Sequence, residues 1–160
     1  MNSETKLNNK IINIKPIIED IISSNNLINE INKLNLDLNL TNTGKANIDL
    51  LKFKKVILTI FLYTIKNCTN HDNIRIRTGN IITKNKSFIF IKIGNRTSYI
   101  PKKEIEFVFN LFYFNEVKGN SGLELAICKK ITESHNGFIK CSSSKSSGTE
   151  FVISLPSYNC

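Results

Sequence analysis

The chain has 160 residues, 41% of them hydrophobic and 22% charged, and a formal net charge of +9. This length fits one domain able to bury roughly 70% of its unfolded surface, and the composition excludes wholesale disorder. Asn is about as frequent as Lys and Arg together and Ile is equally heavy. That bias explains the positive charge better than selection for an anionic partner, so nucleic-acid binding is unlikely on composition. The opening MNSETKLNNK lacks the layout of a signal peptide. The longest apolar run, Val56 to Ile65, is half of the ~20 residues that a membrane span needs. A cytoplasmic chain with no membrane span is therefore expected. Cys68, Cys128, Cys141 and Cys160 are scattered without a CxxC pair, which excludes most zinc spacings and a secreted disulfide framework.

Residues 1–10 are polar and expected to be loose, and residues 11–160 form the domain. Ile11–Ile14 reads as a short edge strand. Pro16 then stands at a first helical position, ahead of an apolar stripe running from Ile17 to Ile31. Leu34, Leu36, Leu38 and Leu40 alternate as a strand does, and Thr41–Asn47, with Gly44, reads as a loop. Asp49 heads a helix whose apolar positions are Leu50, Phe53, Ile57, Ile60, Phe61 and Ile65. Ile74, Ile76 and Phe88–Ile93 make two strands joined by a hairpin between Thr78 and Ser87. Phe88-Ile-Phe-Ile is apolar on both sides, as in a strand covered by two layers.

Pro101 introduces a helix carrying Ile105, Val108, Phe109 and Phe112. A turn at Gly119–Gly122 feeds another helix with Leu123, Ala126, Ile127 and Ile131 on one side. His135-Asn136-Gly137 ends it, with Gly137 in the left-handed position. Strands around Phe138–Cys141 and Thr149–Leu155 close the chain. A glycine turn at a helix N-terminus is a physical phosphate site, because unpaired N–H groups and the helix dipole face it.

Turn, Gly-Leu-x-Leu-Ala-Ile, His-x-Gly and then Gly-Thr-x-Phe-x-x-x-Leu-Pro, in that order, resembles the end of the histidine-kinase-type ATP-binding domain, of the superfamily shared with gyrase and certain chaperones. The resemblance runs from about Ile11 to Pro156. It implies an α/β (α+β) two-layer sandwich, a mixed β-sheet with helices packed on one face. Carried over motif by motif, it places nucleotide contacts at Thr59, Tyr63 and Lys66 on one helix and at Asn95 and Thr97 after a strand. It places others at Gly119, Gly122 and Leu123 at the phosphate turn, and at Thr149 behind the adenine.

Thr59 and Tyr63 stand where the family has asparagines, one of them a magnesium ligand. Asn95 replaces the adenine-binding aspartate, and Thr97, Tyr99, Asn120 and Glu124 replace glycines. Tyr63 and Tyr99 are expected to fill the former pocket, with strain at Thr97 or Tyr99 if either position needs positive φ. No catalytic residue and no metal ligand are assigned, and no phosphoacceptor histidine segment precedes Ile11. The expected function is a degenerate ATP-binding domain, a regulatory or interaction module or remnant of two-component signalling that binds no cofactor tightly. Its partner would be a histidine-kinase dimerisation protein or a response regulator. Two alternatives remain. One is an active domain using Mg-ATP to phosphorylate a histidine on a separate chain. The other is a nucleic-acid binder using Arg75, Arg77, Lys84 and Lys86 on one hairpin.

Overall fold

The computed structural model describes residues 6–24, 34–41, 43–69, 71–113 and 122–158. Its elements are β1 (Asn9–Asn13), α1 (Ile14–Ile22), β2 (Asn35–Leu40), β3 (Lys45–Asp49), α2 (Leu50–Lys66), β4 (Asn73–Thr83), β5 (Lys86–Asn95), α3 (Lys102–Ile105), α4 (Glu124–Ser134), β6 (Phe138–Ser144) and β7 (Gly148–Pro156). Five strands form one mixed sheet in the order β2-β4-β5-β7-β6, and β1 pairs with β3 in a separate ribbon. Only β2 and β4 run parallel. A parallel pair needs a crossover, and here the chain makes it through β3 and α2. Helices α2 and α4 pack on each other and on one face of the sheet, as the resemblance implies.

Each strand of the sheet centre turns alternate residues toward that helical layer. Ile89, Ile91 and Ile93 of β5 meet Phe151, Ile153 and Leu155 of β7 there, all fully buried against Phe53, Ile57, Ile60 and Phe61 of α2. The β4–β5 hairpin closes through Lys84 and Asn85, both with positive φ (48° and 61°). This is the two-residue turn whose twist suits paired strands.

Several sequence expectations are corrected. The first strand starts two residues earlier and ends one earlier, at Asn9–Asn13, because Asn13 accepts the Lys15 N–H at 3.1 Å and caps α1 from Ile14. Pro16 is thus the third helical residue. Lys45–Asn47, expected in a loop, belong to β3, which gains its ladder from β1, a distant segment. The helix after Pro101 lasts only four residues and then breaks into turns. Phe112 there has φ 61° and is 64% exposed. Asn136, not Gly137, takes the left-handed conformation (φ 58°). Gly137 is needed for a different reason: a Cβ there would strike the Ser154 carbonyl. Phe88 and Phe90 are only half-buried, since among the described residues no helix covers the second face of the sheet. The apolar stripe at Leu27–Ile31 lies outside the described residues.

One junction ties the layers. The buried His135 accepts the Asp49 N–H at Nε2 (3.0 Å) and contacts the Ile131 carbonyl through Nδ1 (2.7 Å), which assigns the Nδ1–H tautomer. Asp49 in turn caps α2 by accepting from Lys52 N–H (3.2 Å) and accepts the Asn8 N–H at 3.0 Å. His135→Leu keeps an apolar body beside Phe53 but leaves the Asp49 N–H unpaired. It should cost ~1–3 kcal/mol in urea unfolding with an unchanged m-value.

Candidate functional site

Of the residues singled out from sequence, Asn95, Thr97 and Thr149 lie together where the end of β5 meets the start of β7, beside the last turn of α2. Thr59, Tyr63 and Lys66 lie on α2, Asn95 ends β5 and pairs in register with Thr149 of β7, and Thr97 follows in the next loop. Gly122 and Leu123 lead into α4, with Gly122 at φ 70°. A Cβ on Gly122 would come within 2.9 Å of the Phe112 backbone, so glycine here permits a close approach of two chain segments. Gly119 and Asn120 lie outside the described residues.

Asn95 is the centre of this cluster and only 1% exposed. Its amide nitrogen donates to the Thr64 carbonyl (3.2 Å) and to Cys68 Sγ (3.3 Å). Its oxygen accepts from the Ser98 N–H (3.0 Å) and the Ser98 hydroxyl (2.6 Å). An asparagine amide offers two donors and two acceptor positions, so all four are used inside the fold. The backbone donor at Ser98 fixes which atom is oxygen. An aspartate could accept from Ser98 but could not donate to Thr64 or Cys68.

The neighbouring hydroxyls are engaged as well. Thr149 donates to the Ser98 carbonyl (3.1 Å) and lies 2.8 Å from Ser143 Oγ, which accepts the Ile100 N–H at 2.8 Å. Thr97 donates its hydroxyl to Asp72. The Tyr63 ring is buried edge-on against Phe151, centroids 5.5 Å apart, and burial pushes its phenol up to about 12. Thr59 faces the Cys128 thiol, and burial pushes that thiol up to about 12 as well. Cys68 and Cys141 are raised to about 12 by the same cause, which leaves all three thiols unreactive at neutral pH. Lys66 is exposed in the last turn of α2. Leu123 is 37% exposed.

Tyr99 departs from expectation. It is 43% exposed, with Lys145 Nζ 5.6 Å from its ring centroid. The backbone on either side is pinned inward, Ser98 by Thr149 and Ile100 by Ser143, and that leaves the intervening side chain pointing out. Neither Thr97 nor Tyr99 has positive φ, so the glycine-to-side-chain changes store no strain of that kind.

Asp72 escaped the sequence reading altogether. Its buried carboxylate accepts the N–H groups of Asn73 (2.7 Å), Arg96 (3.3 Å) and Thr97 (3.2 Å) besides the Thr97 hydroxyl. Burial alone would raise this carboxyl, but the hydrogen bonds outweigh it and hold it below its ordinary value. The only sequence signal is an acid in the turn before β4; apart from the adjacent Asn73, its partners Arg96 and Thr97 lie more than twenty residues away. Two cavities are lined by other residues. One of about 120 Å³ lies beside Ala46, Ile48 and His135, and one of about 600 Å³ lies on the open face of the sheet. No group of three or more His, Cys, Asp and Glu that could hold a metal ion occurs among the described residues. Nor, among them, is any helix long and apolar enough to cross a membrane.

The mixed sheet with its helices on one face is the fold of a known ATPase family. The family described as histidine kinase-, DNA gyrase B- and HSP90-like ATPase matches residues 48–159, and the chain belongs to it. The signal transduction histidine-protein kinase ArlS of Staphylococcus epidermidis is 34% identical over 113 residues, covering 68% of this chain and 24% of that one. The chain thus spans about a quarter of the length of this curated relative. Among solved structures, the mycobacterial sensor histidine kinase MprB superposes with a TM-score of 0.82 at 18% identity, covering 94% of this chain and all of the other. Histidine kinase ThkA in complex with the response regulator TrrA gives 0.79 at 21% identity, covering 98% of this chain and 44% of that one.

Two substitutions probe the cluster. Asn95→Asp removes two donors and buries a charge, and should destabilise the chain by ~1–3 kcal/mol or more by urea titration. Asp72→Asn should cost a similar ~1–3 kcal/mol at pH 7. Because folding lowers the Asp72 carboxyl below its unfolded value of ~3.9, its contribution is present above that pH. It is lost as pH falls through the folded value, so the gap between wild type and Asp72→Asn should close in acid.

Proposed function

We propose that this chain is a histidine-kinase-type ATP-binding domain of a two-component system whose nucleotide pocket is closed by its own side chains, leaving a regulatory or interaction module. The observation that carries this reading is the saturated amide of Asn95. The residue at the family's adenine-reading position has no donor or acceptor left for a base, and no negative charge to strengthen such a bond.

The rest of the donor set fits Mg-ATP no better. Magnesium takes compact oxygen ligands in near-octahedral geometry, whereas the helix offers Thr59, turned to Cys128, and a neutral phenol at Tyr63 packed on Phe151. Thr149 is held by Ser98 and Ser143, and Glu124 brings a carboxylate to the turn meant for polyphosphate. The partner that the reading implies is a histidine-kinase dimerisation protein or a response regulator, since ThkA was solved with one of the latter.

Thermal melting of the purified chain tests this. A ligand at 100 times its dissociation constant stabilises a protein by ~2.7 kcal/mol, several degrees in a chain of this size. Millimolar Mg-ATP or Mg-ADP should give no appreciable shift. A shift of several degrees that is specific to adenine nucleotides and lost in Lys66→Ala would establish the active-domain reading instead.

A further inference from the structure

The helical layer covers one face of the sheet, and the other carries an aromatic floor. Alternation along β5 puts Phe88 and Phe90 on this open side, and β6 adds Phe138, 40% exposed. Phe88 and Phe138 meet edge to face, centroids 5.6 Å apart. The Phe90 ring leans across β4 over Gly79, where any Cβ would strike it, so the ring lies along the sheet instead of standing off it. Together with Ile81, these rings line the cavity of about 600 Å³, whose walls come only from β4, β5, β6 and β7.

Two lysines face this floor, with Glu150 on the same side of β7 as the cavity-lining Val152 and Ser154 and paired with Lys92. Lys92 and Lys140 both line the cavity. Each ammonium sits over a ring, Lys92 Nζ 5.5 Å from the Phe90 centroid and Lys140 Nζ 5.4 Å from that of Phe138. The Lys92 ammonium lies 3.7 Å from Glu150. The arginines that the sequence suggested are committed elsewhere, Arg77 to Asp37 and Arg75 to the Ser147 carbonyl. The cations facing the rings are therefore a different set from the hairpin charges.

We propose that this open face binds single-stranded nucleic acid, with a base stacked on the exposed Phe138 ring, the flat Phe90 ring forming the floor beside it, and phosphates held by Lys140 and Lys92. Aromatic rings on a sheet flanked by lysines are the arrangement that unpaired bases use, since every base has a π-face to stack and every nucleotide a charge to neutralise. A protein partner is less suited, because lysine is depleted from the cores of protein interfaces. Duplex is also less suited, because its base faces are already stacked. This surface lies on the side of the sheet opposite Asn95, so its occupancy does not depend on whether the chain binds Mg-ATP.

Fluorescence anisotropy of the full chain with labelled twelve-nucleotide oligo-dT and oligo-U, and with a duplex of equal length, tests the proposal. Single strands should bind at low salt, and the duplex at least about tenfold more weakly. Phe138→Leu keeps an apolar surface but removes the stacking face, and should weaken single-strand binding by about 5- to 100-fold. Lys140→Gln should lower the slope of log affinity against log salt by about 0.7. Both side chains are exposed, and unchanged melting temperatures would show that the variants fold. Equal affinity for duplex would overturn the proposal, as would binding unaffected by both Phe138→Leu and Phe90→Leu in folded variants; either result would report net charge alone. Phe138-dependent binding of a poly-glutamate peptide without oligonucleotide binding would assign the face to an acidic protein and overturn it too.

Discussion

Asn95 holds this end of the molecule together. Its amide group bridges the last turn of α2, through Thr64 and Cys68, to the loop that leaves β5, through Ser98. An unpaired polar atom at that depth would cost ~1–3 kcal/mol, so the loop is held where all four positions are met. From this follow the other contacts: Ser98 presents its carbonyl to Thr149, Thr149 meets Ser143, and Ser143 receives Ile100. Asp72 secures the same loop from the other side by collecting N–H groups at Arg96 and Thr97. One neutral network and one buried carboxylate together satisfy the polar groups of this loop.

The second constraint is the one-sided sheet. Helices α1, α2 and α4 cover a single face, so alternate residues of each strand meet very different surroundings. Ile89, Ile91 and Ile93 are fully buried while Phe88 and Phe90 are not. The domain thus offers two chemically separate surfaces. One is the polar, internally bonded cluster at the end of the helical layer, and the other an aromatic and basic floor across the strands. His135 and Asp49 sit away from both and tie α4 to the α2 N-terminus.

The sequence by itself determined the periodic parts. The alternation of Leu36, Leu38 and Leu40, the helical spacing from Phe53 to Ile65, and the order of Gly-Leu-x-Leu-Ala-Ile, His-x-Gly and Gly-Thr-x-Phe led to the sheet, the helices and the family. These signals are local, since a side chain's spacing along its own element decides which side it faces. The identities at the positions that the resemblance singles out were equally legible, because a motif records which residue stands where. What the sequence left open depended on partners far along the chain. β3 exists because β1 pairs with it, across more than thirty residues. Tyr99 points outward because Ser143 and Thr149 hold the backbone on either side of it. Asp72 is an unremarkable turn acid until the fold brings Arg96 and Thr97 to its carboxylate. Asn95 reads in sequence as a replacement for the aspartate of the resemblance, and only the tertiary structure shows its amide fully used. Phe88-Ile-Phe-Ile, apolar throughout, could not reveal that a single layer of helices covers it. Hydrophobicity reports what a residue prefers, and only the packing of distant elements decides which preference is met.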